Sequence, residues 1–325
     1  MEPTKPNDAL RHHWHPVARS EGVGAKPVPT TLLDESIVLY RAEGQAVALK
    51  DLCIHRGTPL SLGSIEGANL VCAYHGWTYG PDGACVRIPS IPSDRPIPRK
   101  ARVDRYNVEE RYGLVWVSLD EPRRPVPDFP EVEDPAYHTY FHDSPNWQTS
   151  AARFIENFID MSHFPWVHGG LLGDRQKPIT PDYIIEHRNG EMFFEAESQT
   201  PKERQAPGGE RIAMRIVPPF AVVFHRILQD GGRYVVTLIA APLSSKESRL
   251  YKFVSRNYEL DRPDESFRAF SEVVMDQDRL MVEKQRPEEL PLDLSAEMHI
   301  KGPDNVAVEY RRILAELGLS TPYTS

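Results

Sequence analysis

Two cysteines and two histidines constrain this chain more than any other feature. They stand as Cys53-Ile54-His55 and, sixteen residues further on, Cys72-Ala73-Tyr74-His75. Each pair is compact enough to serve one metal site, so the intervening chain must turn back and bring two loops together. Arg56-Gly57 and Gly76-Trp77 supply tight turns for that purpose. Four Cys/His donors suit either a tetrahedral structural zinc site or a [2Fe–2S] cluster with two thiolates on one iron and two imidazoles on the other. Zinc fingers commonly group their cysteines together and their histidines together. Here each loop holds one of each, an interleaving that favours two irons over one zinc. With three cysteines in all, a disulfide framework is excluded, and the third, Cys85, is expected to be a packed core thiol.

Composition narrows the class. The chain has 325 residues, which suggests two domains, and 26% of them are charged. A net charge of −9, from 47 acidic against 38 basic residues, argues against nucleic acid or an anionic membrane as partner. No apolar run approaches the ~20 residues needed to span a bilayer. The start, Met1-Glu2-Pro3-Thr4-Lys5-Pro6, has no apolar signal core, so a cytoplasmic protein is expected.

The 30 prolines cluster at residues 81–98 and 122–130, which therefore cannot be central strands or helix interiors. Between them Tyr112–Leu119 reads as a buried strand, and the boundary is placed after it. Residues 1–120 form one domain and residues 121–325 another. In the first, Ser36–Tyr40, Gln45–Leu49 and Leu70–Ala73 read as short strands separated by turns, giving an all-β domain. In the second, a helix over 150–164, extended segments at Ile212–Val217, Ala221–Leu228, Arg233–Pro242 and Leu250–Tyr258, and a helix over 264–285 predict an α+β domain with an antiparallel sheet. Residues 201–210 read as a surface loop, with a lid as the alternative.

A second constellation lies at the start of that domain. Asn157, Asp160 and His163 recur at three-residue spacing and so share a helix side, while Pro165 disfavours helix at Phe164 and bends the chain. The bend returns His168 towards His163. A site of two histidines and one carboxylate, the set used by mononuclear non-haem iron, needs a third ligand. On the last long helix Phe267, Phe270, Val274, Met281 and Gln285 fall on one face with Asp278 near its centre, and Asp276 falls opposite. A lone carboxylate in an apolar stripe is costly unless it is paired or binds metal, which selects Asp278 and leaves Asp276 as its control.

With both constellations in view, Cys-x-His-x16-Cys-x-x-His closely resembles a Rieske motif, and Asn157, Asp160, His163 and His168 resemble the Asn-x-x-Asp-x-x-His-x4-His pattern of Rieske non-haem iron oxygenase α subunits. The resemblance covers nearly the whole chain. It implies a Rieske domain before a helix-grip, START-like catalytic domain, a [2Fe–2S] cluster on Cys53, His55, Cys72 and His75, and Fe(II) on His163, His168 and Asp278. It also implies electrons from NAD(P)H through a separate ferredoxin or flavin/iron–sulfur reductase, O2 as co-substrate, and a head-to-tail homotrimer. In that trimer Asp160 would join a Rieske histidine (His75 by position) to His163, and Asn157 would sit beside the iron. Respiratory Rieske proteins carry an extra cysteine in each loop; Thr58 and Tyr74 stand there here, so that bridge is absent. The compact length resembles vanillate and dicamba O-demethylases, toluenesulfonate methyl-monooxygenase and saxitoxin-pathway hydroxylases. This implies hydroxylation or oxidative demethylation of a small organic, aromatic or cyclic substrate. Cis-dihydroxylation is the runner-up, and a Rieske electron carrier without an oxygenase site is the alternative of a different class. Phe154, Phe158, Phe164, Phe220, Val222, Phe224 and His225 are the pocket candidates, with Arg226 as a partner for a carboxylate or sulfonate.

Overall fold

A computed structural model describes residues 8–205 and 209–320, apart from the side chains of Asp143 and Arg204. Residues 206–208 of the expected 201–210 loop or lid lie outside the described residues. The described residues divide into two compact units, Leu10–Val126 and 127–320, the latter grouped with Asp8 and Ala9. The first unit thus runs six residues past the expected boundary. Its last segment is tied down within the unit: the Asp120 and Arg123 amides donate to the Arg11 and His12 carbonyls, and Arg11 Nε lies 2.7 Å from Asp120 Oδ2.

The first unit contains β1 (His15–Arg19), β2 (Val28–Leu32), β3 (Glu35–Ala42), β4 (Gln45–Lys50), β5 (Ser64–Glu66), β6 (Asn69–Val71), β7 (Thr78–Tyr79), β8 (Cys85–Arg87), β9 (Arg105–Arg111) and β10 (Leu114–Ser118). They form a six-stranded sheet, β1-β10-β9-β4-β3-β2, and a four-stranded sheet, β5-β6-β7-β8. β3 shows why these strands read as continuous apolar runs. Ile37 and Leu39 enter one core with Val17, Val115 and Val117, while Val38 and Tyr40 enter another with Leu60, Leu70, Tyr79 and both motif cysteines. A strand buried on both faces has no polar alternation to display. Tyr112-Gly113, expected inside a strand, instead forms the β9–β10 turn, both residues having positive φ.

The second unit contains α1 (Pro130–Glu133), β11 (His138–Asp143), α2 (Ala151–Ile159), α3 (Phe164–Val167), β12 (Glu186–Arg188), β13 (Glu191–Glu197), β14 (Glu210–Val217), β15 (Ala221–Leu228), β16 (Arg233–Pro242), β17 (Ser248–Arg256), α4 (Glu265–Val282) and α5 (Asn305–Glu316). Its seven-stranded antiparallel sheet runs β11-β17-β16-β15-β14-β13-β12. Among the described residues, no helix is long and apolar enough to cross a membrane.

Two expectations for this unit are corrected. The helix expected over 150–164 ends at Ile159, and Asp160 is extended (φ −78°, ψ 125°), so Asp160 and His163 do not share a helix side with Asn157. The reason is local: Asp160 Oδ1 accepts from the Ser162 amide at 2.7 Å, an Asx turn that captures a donor outside the helical ladder. Nor does Pro165 exclude helix at Phe164. It sits in the first turn of α3, where its missing N–H costs nothing.

Candidate metal centres and their cavity

The two cysteine loops close in the same way. The Cys53 amide donates to the Thr58 carbonyl and the Gly57 amide to the Cys53 carbonyl, both at 2.8 Å. Cys72 repeats this with Trp77 at 2.9 Å and Gly76 at 3.0 Å. Gly57 and Gly76 have φ near +70°, a region that disfavours other residues; a Cβ on Gly76 would also stand 3.0 Å from Pro89. Asp51 secures the neighbouring turn, accepting from the Ser61 amide (2.7 Å) and hydroxyl (2.6 Å).

These turns bury the two thiols, both free, and leave His75 exposed. The His55 and His75 rings are 4.6 Å apart, and Trp77 stacks on His55 at 4.6 Å and 8°. His55 Nδ1 is buried without a hydrogen-bond partner. Burial raises the pKa of the Cys53 thiol, against which Tyr79 Oη, 3.2 Å from Sγ, offers a hydrogen bond. Two adjacent thiols, two adjacent imidazoles and an orphaned ring nitrogen fit a dinuclear iron–sulfur cluster. Cys85 is buried in the same core, with Sγ 3.5 Å from the Arg87 carbonyl.

In the second unit His163 and His168 bracket the single turn of α3. Gly173 lets the following loop return beneath it, since a Cβ there would lie 2.4 Å from the Pro165 nitrogen. The Nε2 atoms of His163 and His168 are 3.2 Å apart. Asp278 Oδ1 lies 3.0 Å from His168 Nε2 and 3.4 Å from His163 Nε2. Asp278 Oδ1 is buried yet in hydrogen-bonding geometry with neither ring. Donors about 2.1 Å from a metal at right angles stand roughly 3 Å apart, so this spacing suits a shared ion. The opposite ring nitrogens are already engaged: His163 Nδ1 donates to Asp160 Oδ2 (3.2 Å) and His168 Nδ1 to Gln277 Oε1 (2.9 Å). Each bond fixes the tautomer that leaves Nε2 with a lone pair. Burial disfavours charge here, yet Asp160 and Asp278 outweigh it and raise His163 to about 9. The two histidines correspondingly lower Asp278.

α4 delivers Asp278 on the expected face, with Phe267, Phe270 and Val274 lining the cavity beside it. Ser271, Met275, Asp278 and Val282 are buried, whereas Phe270 and Met281 are exposed and Gln285 lies beyond the helix end. Asp276 is exposed. Ser271, a small polar residue on the inner side of α4, accepts a hydrogen bond from Lys252.

The triad opens onto a cavity of about 940 Å3 whose wall is one face of the sheet. Alternate residues of four adjacent strands contribute: Ile212 and Met214 of β14, Phe224 and Arg226 of β15, Tyr234 and Val236 of β16, and Lys252 of β17. Phe158 and Phe164 line it as expected from sequence, and so does Phe224. Phe154, Phe220 and Val222 are core residues outside the lining. His225 points from the other face of the sheet, its Nε2 3.9 Å from Glu131. Asn157 and Asp160 also lie outside the lining. Arg226 is half-buried and already paired: Nε lies 2.5 Å from buried Glu210 Oε2. Gln277 and Lys252 are absent from the sequence reading. The signal for Lys252 was a single cation inside the apolar strand Leu250–Val254, and for Gln277 its place beside Asp278.

Comparison with known proteins agrees with this geometry. Residues 13–107 match the Rieske [2Fe-2S] domain and residues 147–320 the vanillate O-demethylase oxygenase C-terminal domain. Methylxanthine N1-demethylase NdmA of Pseudomonas putida is 33% identical over 95% of this chain and 89% of its own length. The N3-demethylase NdmB of the same organism is 33% identical over 96% and 90%. The chain belongs to the Rieske non-haem iron oxygenases. The structure of NdmA with caffeine superimposes with a TM-score of 0.85 at 32% identity, covering 95% of this chain and 91% of that one. The protein is thus a terminal oxygenase component that uses O2, a Rieske cluster, mononuclear iron and electrons from a separate reductase or ferredoxin. Neither a cis-dihydroxylating dioxygenase nor an electron carrier is favoured by these relatives.

Proposed function

We propose that this oxygenase demethylates an N-methyl or O-methyl group of a small cyclic compound. The overall change is substrate–CH3 + O2 + NAD(P)H + H+ → demethylated substrate + formaldehyde + H2O + NAD(P)+. The observation that carries this reading is the convergence of His163, His168 and Asp278, with ligand atoms within 4.8 Å of one another, at a mostly buried cavity walled by Phe158, Phe164 and Phe224. His163, His168 and Asp278 would hold the iron; Cys53, Cys72, His55 and His75 would hold the cluster. When bound, the two centres supply one-electron reduction and oxygen activation.

The chain's own residues do the rest. The aromatic wall excludes water and presents the methyl group to the triad. Asp160 and Gln277 hold the Nδ1 protons of His163 and His168 and so keep both Nε2 atoms aimed at one point. Asn157 would act beside the iron. In a head-to-tail trimer Asp160 would also receive a hydrogen bond from the partner subunit's His75, a role supported by the exposure of His75 and of its neighbour Tyr74 (64%) on the cluster loop. A cytoplasmic location belongs with this reading, since a soluble reductase must reach the cluster.

The test is turnover of caffeine, theobromine and vanillate with a reconstituted reductase. Oxygen uptake, formaldehyde and isotopic oxygen are followed. One formaldehyde per O2 is expected, with one oxygen atom recovered in water; a dihydrodiol carrying both atoms of one O2 would sink the reading.

A further inference from the structure

Lys252 is only 3% exposed and lies in the cavity wall between two buried cross-strand neighbours, His142 of β11 and Leu238 of β16. Its ammonium carries three donors, and its one hydrogen bond is to Ser271 Oγ of α4. Among the described residues no carboxylate stands within ion-pair distance of it. The other cations of the wall are neutralised: Arg226 by Glu210 at 2.5 Å, and Arg262 by Glu259 at 2.8 Å. Glu210 is further satisfied by the Ser198 hydroxyl at 2.8 Å. Burial lowers the lysine's pKa to about 8, and Asp278, whose field favours its charge, faces the two histidines instead.

A desolvated ammonium without a counterion is among the costliest groups a protein interior can hold, and it persists where a ligand supplies the missing charge. Lysine also binds as a point charge, adapting to one oxygen rather than demanding a planar fork. The sheet fixes its Cα, Ser271 fixes its head, and the neighbouring wall is aromatic and apolar. We propose that Lys252 is the carboxylate-recognition residue of the cavity, selecting small aromatic or cyclic acids over their neutral counterparts. The proposal rests on the oxygenase reading for the identity of the cavity as the substrate site.

Its test is binding, so it does not depend on turnover. Matched acid and amide probes (4-methoxybenzoate with 4-methoxybenzamide, vanillate with vanillamide, indole-3-carboxylate with indole-3-carboxamide) are titrated calorimetrically into the anaerobic, reduced holoenzyme. At least one acid is expected to bind at least ~10-fold more tightly than its amide. Lys252→Met, which keeps the stem length and removes the buried charge, is expected to abolish that preference while shifting amide affinity by less than ~3-fold. Lys252→Arg is expected to retain part of it. The proposal is overturned if no acid binds, if the native protein binds the amides equally well, or if Lys252→Met keeps the acid preference. The native acid-to-amide ratio decides the matter even where a variant fails to fold. An acid preference that depends on Lys252, found together with no oxygen uptake on any probe, would retain the lysine's role and discard the demethylase reading.

Discussion

The two metal-binding regions solve opposite problems. In the first unit the thiols are buried while His75 reaches solvent, and the ligands sit at the tips of loops closed by their own backbone. In the second unit the donors are drawn from two distant segments: His168 and Asp278 are nearly inaccessible, and each histidine is oriented by a separate side chain. A centre that exchanges electrons with other proteins gains from an exposed ligand edge. A centre that activates oxygen gains from excluding water and from keeping open positions towards a substrate. The contrast predicts that substitutions in the second unit erase metal or turnover, whereas those around the cluster tune it.

The largest effect is expected from Asp278→Ala. Metal analysis should fall from about three irons per chain to about two, with the Rieske visible spectrum retained and activity at background. Asp276→Ala should keep all three, and equal iron loss in both variants would contradict the assignment. Next is Asp160→Asn, expected to leave both centres assembled while turnover drops by roughly 100-fold or more; normal substrate-dependent oxygen uptake would remove Asp160 from the electron path. Gln277→Leu should weaken iron retention about 10-fold by freeing the His168 ring, read by chelator competition.

Acidity should act in the same direction. The raised pKa of His163 means that the metal-free site holds a proton at neutral pH, which iron must displace. Iron affinity should therefore rise with pH up to about 9, by about tenfold per unit for each proton released. The metal-free protein should run oppositely. The ion pairs of His163 contribute fully below its ordinary value of 6.5 and are lost as pH rises through about 9, which thermal unfolding of the apo form would register. The smallest effect belongs to the cluster. Tyr79→Phe removes the hydrogen bond to Cys53 Sγ; at about 1 kcal/mol of difference between redox states this lowers the potential by roughly 40 mV, measurable by spectroelectrochemistry.

The same contrast explains what could be read from sequence. The cluster motif is local: four ligands of two types within 23 residues (53–75), with the glycines that shape the turns beside them. His163 and His168 are legible as a pair from the turn expected around Pro165, although that turn is the short helix α3; the shared helix side expected for Asn157, Asp160 and His163 is replaced by the Asx turn of Asp160. Asp278 is legible from helical periodicity because Phe267, Phe270 and Val274 line the cavity on its face, although Met281 is exposed. Side-chain direction within β15 and β17 was not legible. Nothing in the run Ala221–Leu228 distinguishes the parity of Phe224 and Arg226 from that of His225 until the neighbouring strands are paired. Hence the sequence does not separate His225 from the true wall residues, whereas Phe220 and Val222 share the parity of Phe224 and still lie in the core outside the lining; Lys252 is hidden in the same way.

The matched closure of the two cysteine loops has a consequence for ligand placement. Each loop is held by a pair of backbone hydrogen bonds and a left-handed glycine, so the conformational entropy of both turns is offset by bonds within the turns themselves. The placing of all four ligands is thereby under local control of residues 53–58 and 72–77.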